Sequence, residues 1–200
     1  EELSGRLHEL EILERERSEE ELELSRMNKG FNSTGSYYLD DMLLYYLNSA
    51  ADSRIDLNIS VMTSMAPLWE NKMIRLLHLE RLIGNLMRNA FRAIERDDTR
   101  GRKMELLMGQ TDTGVYSIDL YDSGEPFRPD ILQNLGKRGV TTGGTGFGYA
   151  EIFDILDKAG ASYELTAFAE ENPPYSKRIT ISFDGERRQK VDSCGQLPAK

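Results

Sequence analysis

In Gly143-Gly144-Thr145-Gly146-Phe147-Gly148, glycines at alternate positions lead directly into an amphipathic helix that the sequence pattern predicts from Tyr149 to Lys158. Glycine tolerates positive φ values, and it lets backbone N–H groups approach an anion because no Cβ atom stands in the way. A helix that begins at such a loop adds unpaired N–H donors and the positive end of its dipole. The segment therefore predicts a loop that binds phosphate.

The spacing of these glycines separates the segment from two common phosphate loops. A P-loop ends in Gly-Lys-Ser or Gly-Lys-Thr, and the dinucleotide fingerprint reads G-x-G-x-x-G directly after a first strand. Here the glycines run G-x-G-x-G after an irregular segment. Neither common loop fits this chain, so the accompanying residues have to indicate which nucleotide fold is present.

Composition limits the remaining classes of protein. A hydrophobic content of 39% in 200 residues allows one domain and an appendage. The net charge of −9 argues against a nucleic-acid partner, because phosphate backbones need clustered Lys and Arg. No apolar run reaches the roughly 18 residues that cross a bilayer, so any membrane part is expected outside this stretch. The single cysteine, Cys194, excludes an internal disulfide and a cysteine zinc site, and it favours a reducing, cytoplasmic setting.

The N-terminal part of the chain predicts two helices. Apolar residues between positions 3 and 31 recur at three- and four-residue steps, with a charged interruption between them. The cluster Asn32–Ser36 breaks this helix, and Ser36 is a candidate cap for a second helix with apolar positions from Leu39 to Ala50. We expect residues 1–53 to form a helical dimerisation or linker region, and a homodimer through these helices is a hypothesis.

Beyond residue 53 the pattern predicts an α/β domain. Alternating apolar residues predict a first strand over Ile55–Val61, and a helical stripe predicts a long helix from about Lys72 to Glu95. Further alternating segments predict four strands: Met104–Met108, Tyr116–Leu120, Tyr163–Ala167 and Ile179–Phe183. Four or five strands with helices grouped between them favour a two-layer α/β sandwich. We expect this domain over residues 54–184, followed by an unstructured polar tail over residues 185–200.

Four polar residues of the predicted long helix lie on one ridge. Asn85, Asn89, Arg92 and Arg96 recur at steps of four, three and four residues. Asparagine oxygens are neutral ligands suited to Mg²⁺, which proteins hold with few groups plus phosphate oxygens, and Arg92 could balance phosphate charge. The alternative is a solvated helix surface, which the ridge alone does not exclude.

A further polar group ends the predicted strand that contains Ile118 and Leu120. Period two places Asp122 on the same inward face, and a carboxylate at the rim of an apolar face needs a donor. The exocyclic amine of adenine would serve, and Gly124 would let a ring approach the backbone. The alternative is a turn residue, because Asp-x-Gly is common at hairpin exits.

The order of these parts is more specific than each part alone. The chain has an Asn-bearing helix, then a strand that ends in Asp-x-Gly, then a G-x-G-x-G loop that opens a helix. In this order it resembles the GHKL ATP-binding superfamily, and within it the catalytic domain of sensor histidine kinases. N-L-M-R-N-A from Asn85 looks like the N box, Y-D-S-G from Tyr121 like the first glycine box, and G-T-G-F-G-Y from Gly144 like the second. The segment F-N-S-T-G-S-Y-Y-L-D-D, residues 31–41, looks like the end of the dimerisation region of quorum-sensor-type kinases. The resemblance implies the Bergerat ATP-binding fold, a mixed sheet with helices on one face, preceded by a helical hairpin segment.

The resemblance also implies ATP and Mg²⁺ as ligands. By this resemblance Asn89 would bind Mg²⁺ with Asn85 beside it, and Arg92 would face the phosphates. Asp122 would bind the adenine amine, with Gly124 beside the ring. The second glycine box would hold the phosphates: Gly144, Thr145, Gly146, Phe147 and Gly148.

The irregular segment Ser123–Gly143, with a short helix candidate at Asp130–Leu135, would be the lid over ATP. Lys137 and Arg138 would be further phosphate contacts of this lid. The alternative for these two residues is that they are solvated lid charges.

The activity that the resemblance implies is that of a protein-histidine kinase. It would transfer the γ-phosphoryl group of Mg-ATP to a histidine, and an aspartate of a response regulator would take it from there. We expect the acceptor outside this chain, because His8 matches the family pattern only loosely and His78 lies within the long helix. The implied location is the cytoplasmic part of a membrane-bound sensor.

Two departures from the family pattern keep other functions open. Pro126 replaces the second glycine of the D-x-G-x-G box, and a residue with no N–H and a fixed φ changes how the lid leaves the pocket. Together with the missing acceptor, this leaves open a non-catalytic, dimeric ATP-binding scaffold. The remaining alternative is a GHKL ATPase, but those relatives place a water-activating glutamate where this chain has Asn85, a poor base.

Overall fold

The computed structural model describes residues 31–127, 147–168 and 174–195. Four helices lie in these ranges: α1 (Tyr37–Asp52), α2 (Pro67–Glu70), α3 (Leu76–Arg96) and α4 (Phe147–Ala159). Six strands accompany them: β1 (Asp56–Val61), β2 (Lys103–Gln110), β3 (Tyr116–Asp122), β4 (Ser162–Phe168), β5 (Lys177–Ser182) and β6 (Gln189–Gly195). None of the helices within these ranges is long and apolar enough to cross a bilayer.

The strands form one mixed sheet in the order β1-β2-β3-β5-β4-β6. β1 runs parallel to β2 and β6 parallel to β4, while the remaining neighbours are antiparallel. Ile118 pairs with Ile181 and Leu120 with Ile179, so apolar residues of period two form a continuous inner face against the helices. The predicted two-layer α/β sandwich with a mixed sheet is confirmed.

Helix α3 supplies much of the core under this sheet. The inner positions that the sequence predicts are all buried: Leu79, Ile83, Leu86, Met87, Ala90 and Ile94. The helix begins at Leu76, four residues after the predicted start, because Lys72 has a φ of +59° and cannot belong to it. Met73 and Ile74 instead donate backbone hydrogen bonds to the Leu68 carbonyl and close the short helix α2.

Helix α1 packs into the same hydrophobic core. Ser36 caps it by accepting from Leu39 N at 3.4 Å, as its sequence predicts. Leu39 and Leu43 are fully buried, and the Tyr46 hydroxyl donates to the Gly84 carbonyl in α3 at 3.1 Å. The boundary between residues 53 and 54 stays a prediction, but α1 shares the core of the sheet that follows that boundary.

The segment after Asp184 differs from the sequence prediction of an unstructured tail. Residues 189–195 form β6, which pairs in parallel with β4, and they raise the strand count from the expected four or five to six. No alternation of apolar residues predicts this strand, and its one large apolar side chain, Val191, is 47% exposed. Backbone pairing to an open sheet edge needs no apolar pattern, which is why the sequence pattern did not predict β6.

Several predicted features lie outside the described residues. These are the first N-terminal helix with His8, the lid with Lys137, Arg138 and the short helix candidate, and Gly143, Gly144, Thr145 and Gly146 of the glycine loop. Of that loop the structure describes the backbone of Phe147 and Gly148, as the first turn of α4. The helix predicted from Tyr149 to Lys158 is confirmed, with this earlier start.

Candidate nucleotide-binding site

The predicted metal ligand Asn89 lies where α3 faces α4. Asn89 is partly buried, and its Nδ2 atom is enclosed without a hydrogen-bond partner among the described residues. The nearby hydroxyl of Tyr149, on α4, lies within electrostatic reach of Asn89 and of Asp122. Burial raises the pKa of Tyr149 well above its usual value, Tyr163 and Asp122 add to this, and Asn89 opposes it. The unpartnered atom is the N–H donor of the amide, so it could donate to a ligand, while a metal ion would need the side-chain oxygen.

The other three residues of the predicted ridge differ in their contacts and exposure. The amide of Asn85 has protein partners on both sides, because Arg88 donates to Oδ1 and Nδ2 donates to Glu151 Oε2 at 2.9 Å. Arg92 is exposed to solvent. Arg96 lies 3.6 Å from the Glu125 carboxylate. Asn89 is therefore the asparagine of the ridge whose Nδ2 atom lacks an acceptor among the described residues, and Asn85 supports the α3–α4 contact.

The end of β3 places Asp122 on the inner face, as period two predicts. Asp122 is only 1% exposed, and its Oδ1 atom accepts from Gly124 N at 3.0 Å and from Lys177 Nζ at 2.6 Å. Burial raises the pKa of Asp122, whereas the Lys177 ammonium and the Gly124 N–H lower it. The carboxylate is thus held in one orientation at the rim of the core.

Sequence reasoning missed Lys177, the partner of this carboxylate. The register of β3 and β5 pairs Asp122 with Lys177, which is 3% exposed. The signal was available in β5, because Lys177 shares the parity of Ile179 and Ile181 and must face inward with them. A lysine at an inward strand position predicts an acidic partner nearby.

Gly124 approaches the helix backbone. A Cβ atom at this position would lie 2.3 Å from Ala93 C and from Ile94 N. Glu125 N donates to the Ala93 carbonyl at 3.0 Å, and Ser176 Oγ donates to the Gly124 carbonyl at 2.6 Å. The glycine predicted to admit an adenine ring thus lets the chain after β3 lie directly on α3.

A further buried hydroxyl without a partner lies on β4. Tyr163 is 2% exposed, and its hydroxyl makes no hydrogen bond to any described residue. Burial raises the pKa of Tyr163, and its ring packs against Phe153 of α4 with centroids 5.0 Å apart. Tyr163 also acts electrostatically on Tyr149, so the two hydroxyls belong to the same polar region beneath α4.

The donor set suits a metal that needs few protein groups. Within the described ranges no cluster of three or more His, Cys, Asp or Glu side chains could hold a metal ion. Mg²⁺ keeps several water ligands and is often held by one or two protein oxygens together with substrate phosphates. Asn89 carries one side-chain oxygen of the required kind, whereas the Oδ1 atom of Asn85 already accepts from Arg88.

Comparison with known proteins defines the class. The model of the family described as "Histidine kinase-, DNA gyrase B-, and HSP90-like ATPase" matches residues 75–187. This match spans more than half of the chain, and the protein belongs to that family. The resemblance read from the N box and the two glycine boxes is therefore confirmed.

Two curated relatives carry the names of sensor proteins. The "Probable C4-dicarboxylate sensor kinase" of Bacillus subtilis (strain 168) is 31% identical over 111 residues, which are 54% of this chain and 20% of that protein. Sensor protein CitS of the same organism is 30% identical over 138 residues, or 68% of this chain and 24% of CitS. The chain spans between a fifth and a quarter of the length of these curated relatives.

Solved structures agree on the fold. The nucleotide-free catalytic domain of histidine kinase ThkA has a TM-score of 0.52 at 15% identity, covering 72% of this chain and 88% of that one. The mycobacterial sensor histidine kinase MprB has a TM-score of 0.51 at 16% identity, covering 72% and 91%. At these identities the likeness establishes the α/β architecture alone.

Proposed function

We propose that this chain is the ATP-binding catalytic region of a sensor histidine kinase. It transfers the γ-phosphoryl group of Mg-ATP to a histidine, and a response regulator takes the group from there. The observation that carries the proposal is the placement of Asn89 on α3 and of the ordered Asp122 carboxylate at the end of β3, both of which interact with Tyr149 at the start of the helix that follows the glycine loop. The family match and the sensor-kinase relatives support it.

Each residue of the site has a separate task in this proposal. Asp122 accepts a hydrogen bond from the exocyclic amine of adenine, and Asn89 provides an oxygen ligand for Mg²⁺. When bound, Mg²⁺ offsets negative charge on the phosphates. The glycine segment and the N-terminus of α4 hold the phosphate oxygens, with Arg92, Lys137 and Arg138 as cationic contacts.

The chemistry requires little covalent help from this domain. An imidazole nitrogen of the acceptor attacks the γ-phosphorus, the bond to the β–γ bridging oxygen breaks, and ADP leaves with that electron pair. Catalysis therefore rests on orientation and on electrostatic stabilisation of the transferring group. The same proposal includes three further parts. These are a histidine acceptor, a homodimer through the N-terminal helices, and a location in the cytoplasmic part of a membrane-bound sensor.

Radiolabelled ATP tests the activity. The chain is incubated with Mg²⁺ and ATP labelled in the γ-phosphate, alone and with the histidine-bearing dimerisation segment of a sensor kinase. Acid-labile, base-stable label on a protein histidine supports the kinase. Free phosphate without labelled protein supports the ATPase, and tight ATP binding with neither product supports the scaffold.

Matched asparagine variants test the site. Asn89→Ala is expected to weaken Mg-ATP binding at least tenfold, which corresponds to about 1.4 kcal/mol, because it removes the metal ligand. Asn58→Ala is the control, since Asn58 lies on the exposed side of β1 and its side chain donates to Glu105 at 3.1 Å. Equal Mg-ATP affinity of both variants, measured by calorimetry, would contradict the assignment of Asn89.

A further inference from the structure

Lys177 is a buried charge with a defined set of contacts. Its ammonium lies 2.6 Å from Asp122 Oδ1 and 2.8 Å from the Glu125 carbonyl, and it lies 5.4 Å from the centre of the Phe127 ring. Both side chains of the pair are nearly inaccessible, at 4% for Lys177 and 2% for Asp122. A buried ion pair is weak evidence for stability, because desolvation of two charges offsets most of their attraction. The pair therefore calls for another explanation.

The contacts leave one carboxylate oxygen of Asp122 available. Every hydrogen bond that described residues make to this carboxylate ends on Oδ1, from Lys177 and from Gly124 N. These two donors fix the orientation of the group. Oδ2 is the oxygen that remains to accept a hydrogen bond from a ligand.

The protonation state of this carboxyl group decides which purine it can bind. An ionised carboxylate only accepts hydrogen bonds, so it pairs with the 6-amino group of adenine and repels the 6-oxo group of hypoxanthine. A protonated carboxyl group donates and could pair with a 6-oxo group. Burial raises the pKa of Asp122 and favours the protonated form, while the adjacent ammonium opposes this.

We propose that Lys177 sets the nucleobase selectivity of the site. It orients Asp122 and holds its carboxylate ionised, so that the pocket takes 6-amino purine nucleotides and rejects 6-oxo purine nucleotides. This inference rests on the proposed function, in which Asp122 meets the base. Lys177 acts through Asp122 and is a positioning residue.

Other titratable or charged groups face the pair from neighbouring elements. The Glu125–Arg96 ion pair lies between the segment after β3 and α3, Asp97 follows α3 and interacts with Lys177, and the Tyr149 hydroxyl interacts with Asp122. Because these groups also titrate, the test compares two nucleotides at one pH. A ratio of affinities cancels effects that are common to both ligands.

The test measures dissociation constants of ATP and inosine triphosphate (ITP) by calorimetry at pH 7.5 with Mg²⁺, using the whole 200-residue chain. The unmodified chain is expected to bind ATP at least about tenfold more tightly than ITP, because a 6-oxo group leaves Asp122 facing an acceptor. Lys177→Met, which removes the charge at similar length, is expected to reduce this ratio to about threefold or less. Lys177→Arg restores the charge and should keep the ratio. Lys103→Met is the control, since the Lys103 side chain is 48% exposed and pairs with Asp56 at 3.7 Å.

The outcomes separate the two proposals. A ratio unchanged in Lys177→Met, with ATP still bound, would overturn the role of Lys177 and leave the proposed function standing. Absence of any nucleotide binding by the unmodified chain would overturn both. If Lys177→Met does not fold, the double variant Asp122→Asn, Lys177→Met carries no buried charge and is expected to bind both nucleotides with similar affinity. A double variant that keeps the original ratio would also overturn the inference.

Discussion

Two glycines, one packed against helix α3 and one within it, differ in the space that each leaves for a side chain. Gly124 lies against the α3 backbone, where an added Cβ atom would come within 2.3 Å of Ala93 C and Ile94 N. Gly84 lies within α3 itself, and a Cβ atom there would first meet the flexible end of Arg88 at 3.4 Å. One glycine is required by a close approach between two backbone segments, and the other is not.

Gly124→Ala is expected to destabilise the protein by about 3 kcal/mol, because two backbone segments would have to separate. Gly84→Ala is the matched control, and it should stabilise the protein by up to about 1 kcal/mol, because alanine is the better residue in a helix interior. Urea unfolding followed by circular dichroism compares the two. Equal stability of both variants would contradict the packing described for Gly124.

Asp40 is a fully buried carboxylate outside the nucleotide site. It accepts from Ser33 Oγ at 2.6 Å and from Thr34 N at 2.8 Å, and the Thr34 carbonyl in turn accepts from Met65 N at 2.7 Å. These bonds attach the segment before α1 to the loop after β1. The N-terminal segment therefore meets the domain at a fixed place.

Asp40→Ala is expected to lower the free energy of unfolding by about 2–3 kcal/mol, because it leaves a buried N–H and a hydroxyl without an acceptor. Asp41→Ala changes the neighbouring, exposed carboxylate and should alter stability by less than about 0.5 kcal/mol. Thermal unfolding of the two variants gives the comparison. A similar small change in both would show that the Asp40 contacts contribute little.

At the scale of elements, the edge strand β6 depends on the turn that precedes it. Asp184 accepts from Ser162 Oγ at 2.8 Å, from Glu186 N at 3.1 Å and from Arg188 at 2.7 Å, which joins the start of β4 and the end of β5 to the turn before β6. Burial alone would raise the pKa of Asp184, but these hydrogen bonds outweigh it and lower the pKa. The ionised carboxylate is the form that the turn uses.

Asp184→Asn is therefore expected to destabilise the protein by about 1–2 kcal/mol at neutral pH. Since the folded-state pKa lies below the unfolded one, this contribution is present above the unfolded pKa of about 4 and is lost as the pH falls through the folded pKa. The difference between the parent and the variant should shrink as urea unfolding is repeated from pH 7 toward acid. A difference that grows toward acid would contradict the assignment.

Asp157→Asn is the control for this experiment. Asp157, on α4, pairs with Arg187 of the same turn at 3.6 Å, but both side chains are largely exposed. An exposed ion pair contributes about 0–1 kcal/mol. The control should change stability little at any pH.

At the scale of the whole molecule, one hydrophobic core joins α1 to the sheet and the other helices. The buried cluster extends from Phe31 to Phe183 and includes residues of α1, α3, α4 and the inner face of the sheet. Ile55 N donates to the Ala50 carbonyl at 2.8 Å, so the chain continues from α1 into β1 without a flexible linker. The hydrophobic core of the α/β sandwich thus includes α1.

A chain shortened to begin at Phe31 is expected to keep a cooperative unfolding transition, and one shortened to begin at Arg54 is expected to lose it. The shorter chain lacks Leu39 and Leu43, which are fully buried, and truncating a single buried leucine to alanine already costs about 2–5 kcal/mol. Near-ultraviolet circular dichroism and calorimetric unfolding distinguish the two. Cooperative unfolding of the chain that begins at Arg54 would place the domain boundary where the sequence pattern predicts it.

Local patterns predicted most of the fold and part of the site. Period two and period 3.6 report burial on strands and helices, so β3, β5, the buried stripe of α3 and the inward position of Asp122 could be read from the chain. The order of the N box and the two glycine boxes indicated the family, because the three motifs in this order are more specific than each motif alone. These properties depend on residues that are near one another in sequence.

Pairings between distant residues could not be read in this way. Lys177 meets Asp122 across 55 positions, Asn85 meets Glu151 across 66, and β6 finds the edge of β4 through backbone hydrogen bonds that carry no side-chain signature. Whether an asparagine is open to a ligand or engaged, and whether a glycine faces a ring or a helix, depends on which surfaces the fold brings together. The sequence alone thus predicted most of the elements and the family, while the tertiary structure assigned the partners, because burial and register bring together groups that no local period connects.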